Sequence, residues 1–347
     1  MNDATRHTAD TLIRYAQSLL QHAGLDQDKA ADVAAILVEG DLLGHDTHGL
    51  ALLAGYLGEL DKGSMCKTGS YATLQARGAA QTWDGRRLPG AWLVLRAMEA
   101  ATAMAREHGT GTVVIRRSHH IACLAAYLRR ATEQGLLMEL ICSDPNSATV
   151  APYGGTRALF TPNPLAIGFP TGGEPVLVDV SASLTTNGMT ARLHRQGRRL
   201  EHAWLLDANG AETDDPSVLF ASPPGTLQPL GGMQAGHKGY GLALWVEALT
   251  GGLAGHAGPI RRKAGVRAST CRSSTRRPSP APMRSRARCS TSQTPAATTR
   301  RAPMARRCVC PARTGCTNAL CSCARASRCT RTSCPRCGPG ASATASR

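Results

Sequence analysis

The chain has 347 residues and a formal net charge of +16, but its excess of positive charge lies at one end. Residues 1–260 hold 20 Lys and Arg against 24 Asp and Glu, whereas the last 87 residues hold 20 Lys and Arg and no acidic residue. Ten of the 13 cysteines also follow residue 260. The first part is long enough for one or two cored α/β domains, while the last part has too few large aliphatic side chains to offset the entropy of ordering.

The N-terminus argues against a secreted or membrane-spanning protein. Asp3, Arg6 and Asp10 fall where a signal peptide needs an apolar segment, and no apolar run approaches the length of a membrane span. The three scattered cysteines before residue 260 are typical of a reducing compartment. We therefore expect a cytoplasmic protein.

Apolar periodicity predicts four helices and a few short strands in the first 110 residues. Gly24 closes the first helix, Asp26 caps the start of the second, and Gly44 ends the second. Asp84 and Gly85 mark a turn after a β-like segment. The predicted helices cover residues 9–23, 26–44, 50–60 and 90–107, and the β-like segments lie between residues 63 and 85.

The segment GDLLGHDTHGL (40–50) places two histidines and two aspartates where the second helix ends. That helix has an apolar face, so Thr47 and His48 are predicted at a bend where a side chain can face a cavity. A histidine there can donate or accept a proton near neutral pH. The alternative interpretation is a surface turn with a histidine of no function.

A strand, a helix and a second strand are predicted in the order Thr112–Ile115, Ile121–Gln134 and Leu136–Cys142. This length is typical of a parallel βαβ unit, and ligands of such sheets bind beyond the carboxyl ends of the strands. Polar residues follow both strands, so Ser118, His120 and Ser143 are predicted at the same edge of the sheet. The alternative for the two adjacent histidines, 119 and 120, is a helix start hydrated by solvent.

Two later segments carry further candidates for ligand binding. Asp179 lies at the end of an apolar strand and precedes the small residues of Ser181–Gly188, which let a flat ligand approach the backbone. Lys238 opens a predicted helix behind a glycine-rich stretch, an arrangement that suits an anionic ligand. The alternatives are an aspartate in a plain turn and a solvated lysine.

Several common ligand-binding motifs do not occur in the sequence. No GxGxxG follows a strand and no GxxxxGK[ST] is present, so a standard dinucleotide or P-loop site is not supported. There is no HExxH. The CxxC at 334–337 lacks a second pair at zinc-site spacing, so we expect no resident metal.

Seven motifs, taken in order, resemble the malate/L-lactate dehydrogenase family that lacks a Rossmann fold. Their order and spacing match the family across roughly residues 8–256. The motifs are GHDTHG (44–49), RRSHHI (116–121), APYGG (151–155), NPLAIGFP (163–170), LVDVSAS (177–183), WLLDANGAETDDP (204–216) and HKGYGLAL (237–244).

The resemblance implies an α/β fold with a three-layer α/β/α core like that of sulfolactate dehydrogenase, N-terminal helices and a non-Rossmann cofactor site, usually in a homodimer. It also implies NAD- or NADP-dependent interconversion of a 2-oxo acid and a 2-hydroxy acid. His48 matches the proton donor of one branch and His120 the proton acceptor of another, so both remain candidates. Thr47 and Ser118 are expected to contact the substrate. The positions that match cofactor contacts are Ser143, Asp179, Val180, Ser181, His237 and Lys238.

The end of the chain lacks a counterpart to the C-terminal third of this family. We predict a truncated catalytic region at 1–258 and a disordered tail at 259–347 that is translated out of frame. For residues 263–277 (KAGVRASTCRSSTRR), a shifted codon consists of the third base of one codon and the first two bases of the next. Allowed codon choices then spell Gly-Trp-Gly-Ala-Gly-Val-Tyr-Leu-Gln-Val-Ile-Asp-Pro. That peptide is a turn followed by an alternating apolar strand. If this reading is right, the chain should be unstable or inactive.

Two other functions could use the basic tail. Nineteen arginines without acids would bind nucleic-acid phosphates nonspecifically, although the tail lacks aromatic residues for stacking and any recognisable binding motif. A zinc-binding tail is the other alternative, but the cysteine spacing is irregular and no histidine follows residue 260.

Overall fold

A seven-stranded sheet with helices on both faces forms the centre of the protein. The computed structural model describes residues 6–255 and 267–275. These residues lie in one compact unit, Met1–Pro282, and a second unit, Met283–Arg347, lies outside the described residues. The helices are α1 (Ala9–His22), α2 (Gln27–Leu42), α3 (Leu53–Asp61), α4 (Gly90–His108), α5 (Ala125–Thr132), α6 (Asn187–Arg195) and α7 (Gly232–Glu247). The strands are β1 (Ala72–Arg77), β2 (Ala80–Asp84), β3 (Thr110–Ser118), β4 (Leu136–Ser143), β5 (Leu165–Phe169), β6 (Val176–Val180), β7 (Leu205–Leu206), β8 (Glu212–Thr213), β9 (Thr226–Leu227) and β10 (Arg267–Thr275).

The strand order of the large sheet is β1-β2-β3-β10-β4-β5-β6. Only β2 and β3 pair in parallel, and the other neighbouring strands are antiparallel. β3 and β4 run in the same direction, as predicted, but β10 lies between them. Ser118 pairs with Arg267 and Ser143 with Ala268, so β3 and β4 end at the same edge of the sheet. This mixed sheet differs from the parallel, doubly wound sheet of a Rossmann domain.

Alternating side chains of the sheet face two different helical layers. Val113 and Ile115 of β3 lie in one buried core with Leu93 of α4. Val114, between them, points to the opposite face and packs against Ala254, which follows α7 and a π-helical turn at Ala248–Gly252. Because successive residues of a strand face opposite sides, this packing confirms the three-layer arrangement.

β10 lies within the segment for which the sequence predicted disorder, and here the structure differs from that prediction. Its nine residues pair with β3 along one edge and with β4 along the other. With β3 and β4 held one strand-width apart, their facing N–H and C=O groups need a central strand as partner. The rest of 259–347, including the CxxC at 334–337, lies outside the described residues.

The local sequence places most helices correctly, but α6 was not predicted, and two other helices differ in detail. Asp26 is the N-cap residue of α2, but its carboxylate accepts from Lys29 Nζ at 2.8 Å and caps no helix N–H. α5 begins at Ala125, four residues later than predicted from Ile121, because Ala122 has φ +58° and a helix cannot continue through that conformation. β3 also extends to Ser118, beyond the predicted end.

A second, smaller core lies around the three-stranded sheet β8-β7-β9. Leu205, Leu227 and Phe160 are buried in it, together with Ala243 of α7. The backbone N–H of Ala151 donates to the carbonyl of Leu227, which ties the segment after β4 to this sheet. Among the described helices, none combines the length and apolar character that crossing a membrane requires.

Candidate active site

The turn after α2 is fixed by its own backbone and by one aspartate. The carbonyl of Gly40 accepts from the His45 N–H at 2.9 Å, and Asp41 Oδ2 accepts from the Leu50 N–H at 2.9 Å. A Cβ at Gly49 would lie 1.9 Å from Asp41 Oδ1, so a larger residue there would displace the Asp41 carboxylate from its bond to the Leu50 N–H. The turn thereby holds residues 47 and 48 half-buried.

The bend after β3 depends on Asp84 at the end of β2. Its carboxylate accepts two hydrogen bonds from Arg117, at 2.8 and 2.6 Å, and one from the Arg86 N–H at 2.9 Å. Arg117 has φ +54°, a left-handed conformation that costs a non-glycine residue energy. Burial opposes ionisation of Asp84, but these hydrogen bonds and the arginine charges outweigh it and lower the pKa of the carboxyl.

The two bends bring together the histidines that the sequence singled out. The rings of His48 and His120 stack at 5.9 Å between centroids, with 21° between their planes. Thr47 Oγ1 lies 2.9 Å from His48 Nδ1, and the Tyr56 hydroxyl lies 2.7 Å from His120 Nδ1. The Ala122 N–H also donates to His120 Nδ1 at 3.2 Å. A backbone N–H can only donate, so His120 Nδ1 is an acceptor and the neutral ring carries its proton on Nε2.

Asp179 of β6 lies beside this histidine pair and ties β6 to α5. Its Oδ2 accepts from the Ala125 N–H at 2.8 Å and lies 3.8 Å from Cys123 Sγ. Ligand atoms of His45, Cys123 and Asp179 all lie within 4.8 Å of one another. Burial raises the pKa of the Cys123 thiol to about 12, and the negative charge of Asp179 adds to that shift.

α6 closes one side of the histidine turn. A Cβ at Gly188 would lie 3.3 Å from Thr47 Cβ, so a small residue is needed at the start of this helix. Arg192 donates to Asp46 Oδ2 at 2.6 Å, and Thr186 caps the helix by accepting from the Met189 N–H. These contacts place the small-residue segment 181–188 next to the histidine turn, where the sequence predicted a ligand.

Two of the predicted site serines are buried and already hydrogen-bonded. Ser118 Oγ donates to the carbonyl of His119 at 2.9 Å. Ser143 Oγ lies 2.7 Å from Thr250 Oγ1, below the helical layer formed by α7. Glu247 lies near Ser143, and its burial raises the pKa of its carboxyl. The Ser143 bond thus links the end of β4 to the turn after α7, whereas the Ser118 bond is local.

The remaining predicted cofactor contacts occupy two separate places. Val180 is exposed at the end of β6, and Ser181 Oγ donates to the carbonyl of Ser183 at 2.9 Å. His237 and Lys238 are exposed on α7, beyond an irregular residue at Ala235, and the His237 ring packs edge-on against Tyr153.

The sequence did not reveal three residues that shape the site. Tyr56 lay within the predicted helix 50–60 and was not a candidate, although its hydroxyl contacts His120. Asp84 was assigned to a turn, and Cys123 was one of three scattered cysteines. Tyr56 could have been identified as a buried aromatic residue with a polar hydroxyl. Asp84 could have been identified as an aspartate at the end of one strand, beside the arginines that end the adjacent strand.

Comparison with known proteins agrees with this architecture. A family model described as malate/L-lactate dehydrogenase matches residues 7–272. Hydroxycarboxylate dehydrogenase B of Escherichia coli is 31% identical over 256 residues, which are 74% of this chain and 70% of that protein. (2R)-3-Sulfolactate dehydrogenase (NADP(+)) of Chromohalobacter salexigens is 32% identical over 248 residues, 71% of each chain. The solved sulfolactate dehydrogenase of Methanocaldococcus jannaschii superposes with a TM-score of 0.66 at 23% identity, covering 77% of each chain.

The fold and the matched motifs define an oxidoreductase of the 2-hydroxyacid dehydrogenase type. The chain belongs to the malate/L-lactate dehydrogenase family. The resemblance found in the sequence and the predicted fold class are thereby confirmed. The family match ends at residue 272, inside β10, so it extends beyond the boundary predicted at residue 258.

We expect Asp84→Asn to lower the free energy of unfolding by roughly 1.5–3 kcal/mol near pH 7, because it removes charge-assisted hydrogen bonds from a buried carboxylate. The folded pKa of Asp84 is lowered, so its stabilising contribution is present above the usual carboxyl pKa and declines as the pH falls below about 4. Denaturant unfolding of both proteins across this range measures the difference.

Asp61→Asn, at the exposed end of α3, is the matched control and should change stability by less than about 0.5 kcal/mol. A difference between Asp84→Asn and the parent that stays constant from neutral to acidic pH would contradict the role given to the ionised carboxylate.

Proposed function

We propose that the protein interconverts a 2-oxo acid and a 2-hydroxy acid, with NAD or NADP as the hydride carrier. The stacked pair His48 and His120 is the observation that carries the proposal, because it places two proton-bearing side chains at one edge of the sheet. Membership of a dehydrogenase family supports it, as does a relative whose name carries NADP(+). The Thr47 hydroxyl lies beside His48, and we assign to it a contact with the substrate.

Some of the polar side chains predicted for the site suit a nicotinamide cofactor, and others suit it less well. Asp179 and Ser181 border a small-residue segment where a ribose can be hydrogen-bonded, and the exposed ammonium of Lys238 suits a phosphate. Ser143 is engaged by Thr250, and Ser118, the other expected substrate contact, is engaged by the His119 carbonyl, so each would exchange a protein partner for a ligand, as Ser181 would. When bound, the cofactor would supply or accept the hydride.

The hydrogen bonds support different roles for the two histidines. The Ala122 N–H at His120 Nδ1 leaves Nε2 as the proton-bearing nitrogen of the neutral ring, so we assign to His120 the role of orienting the substrate oxygen through its Nε2–H. His48 Nδ1 faces the hydroxyl of Thr47, which can either donate or accept. An imidazole is a common general acid or base, and we assign proton transfer to His48.

Substitution by glutamine separates the two roles, because an amide can donate a hydrogen bond but cannot take up a proton. We expect His48→Gln and His48→Ala both to lower turnover by about 100-fold or more. His120→Ala should be comparably slow, whereas His120→Gln should recover part of the activity. Steady-state rates at saturating cofactor measure this, with exposed His202→Ala as control. Near-normal turnover of both alanine variants would show that neither histidine takes part.

For Lys238 we propose a role in binding the cofactor phosphate or ribose. Lys238→Ala should raise the apparent Kd of the cofactor while leaving turnover at saturating cofactor nearly unchanged, because the ammonium takes no part in the chemistry. Fluorescence titration and saturation kinetics give the two quantities. Lys62→Ala, an exposed lysine at the end of α3, is the control. A larger loss in saturated turnover than in affinity would contradict this role.

We further propose that residues from about 259 onward are an out-of-frame translation of the missing C-terminal region. β10 supports this, because its residues, RASTCRSST, occupy the centre of a sheet that is covered on both faces. Such central strands are ordinarily rich in Val, Ile and Leu. The shifted frame of the same codons permits Gly-Val-Tyr-Leu-Gln-Val-Ile-Asp-Pro, a sequence of that kind.

Resequencing the coding DNA around residues 256–270 tests the frame. We expect a single-base insertion or deletion, and we expect the restored chain to unfold at a higher Tm and to turn over faster, because an apolar β10 completes the core. The histidine and Lys238 variants above are best compared within that restored chain. A verified open frame through residue 347, in a protein that is stable and fully active, would contradict the proposal.

We also propose a cytoplasmic homodimer. The cytoplasmic assignment is supported by Cys66, Cys123 and Cys142, the three cysteines before residue 260, which are all free thiols as in a reducing compartment. The dimer rests on the resemblance to the family alone.

A further inference from the structure

Beside the histidine pair lies a cluster of three side chains with metal-ligating atoms that the proposed reaction does not use together. His45 offers an imidazole nitrogen, Cys123 a thiol sulfur and Asp179 a carboxylate oxygen, and these atoms lie within 4.8 Å of one another. From this geometry we infer that His45, Cys123 and Asp179 form a binding site for a thiophilic divalent cation such as Zn²⁺.

The three ligands come from separate parts of the chain that the fold brings together. His45 is held in the turn after α2 by its bond to the Gly40 carbonyl. A Cβ at Gly40 would lie 3.3 Å from Cys123 Cβ, so this glycine also allows Cys123 to approach the turn. Asp179 reaches the same place from β6, where its bond to the Ala125 N–H orients the carboxylate. The ligands are therefore positioned by backbone contacts that do not involve a cation.

The distances are close to those that zinc requires. Zinc bonds of about 2.0–2.3 Å in a tetrahedron place the ligand atoms about 3.5 Å apart. Cys123 Sγ and Asp179 Oδ2 are already 3.8 Å apart, and the full set needs side-chain movements of only about 1 Å. A carboxylate has enough lone pairs to keep its bond to Ala125 while ligating a metal.

The chemistry of the donor set selects the class of cation. Binding of the metal displaces the thiol proton of Cys123 to solvent, and the resulting thiolate combined with imidazole favours zinc and similar thiophilic ions over magnesium or calcium, which prefer oxygen ligands. Three protein ligands leave the fourth tetrahedral position for water. The turn of His45 also contains His48, so an occupied site lies next to the proposed proton-transfer group.

Cobalt(II) is the probe, because it replaces zinc and gives a thiolate-to-metal charge-transfer absorption. The full-length protein is titrated with Co²⁺ alone, and Cys123→Ser should lose one equivalent of thiolate-bound cobalt. His45→Gln and Asp179→Asn should bind that equivalent about tenfold more weakly or worse, since even the loss of an outer-shell partner costs 10- to 100-fold in affinity. This readout needs no enzymatic activity, so its failure is distinct from a failure of the proposed dehydrogenase function.

Cys66→Ser is the matched control, because Cys66 precedes residue 260 and lies outside the cluster. The ten cysteines after residue 260 contribute the same background to every variant, so only differences between variants are interpreted. Thermal unfolding of each variant alongside the parent identifies any that fail to fold, and His45→Gln changes only a half-buried residue of a turn. Cobalt binding by Cys123→Ser and His45→Gln with the stoichiometry, affinity and absorption of the parent would overturn the proposal.

Discussion

The bend that presents His119 and His120 depends on one buried carboxylate, Asp84. It lies at the end of β2, opposite Arg116 of the parallel strand β3, and it binds the next residue of β3, Arg117. Without that charge-assisted pair, the left-handed conformation of Arg117 would have no compensation. The ion pair therefore converts the end of an ordinary strand into a turn that directs the next residues towards the α2 turn.

The position of His48, the other histidine of the pair, depends on the close approach of neighbouring segments to the α2 turn. Gly49 lets the α2 turn pass directly over Asp41, whose carboxylate accepts the Leu50 N–H. Gly188 lets α6 pack against Thr47 in the same way. These glycines and the Asp84 ion pair act on two segments that are more than 60 residues apart in sequence. Their combined effect is a fixed stacking of two imidazole rings, which is the geometry that general acid–base chemistry needs.

β10 shows how a fold can impose a conformation that the local sequence does not favour. The segment 267–275 lacks the aliphatic pattern of a central strand, and from the sequence we expected no ordered element there. The strands β3 and β4 nevertheless run in the same direction on either side of β10, and pairing with both of them fixes the position and direction of β10. The conflict between local sequence and position in the sheet is the kind of inconsistency that natural sequences avoid. It agrees with the proposed change of reading frame.

The α/β class, the N-terminal helices and the common edge at which β3 and β4 end could all be predicted from the amino-acid sequence. Those features follow from apolar periodicity and from glycine positions, which are local properties of the chain. The sequence also identified both histidines, one through a helix-ending glycine and one through a strand end. Three features could not be predicted: the Tyr56 hydroxyl contacts His120, Thr250 engages Ser143, and β10 separates β3 from β4. These are contacts between distant segments, and their geometry depends on how helices and strands pack, which no local pattern encodes.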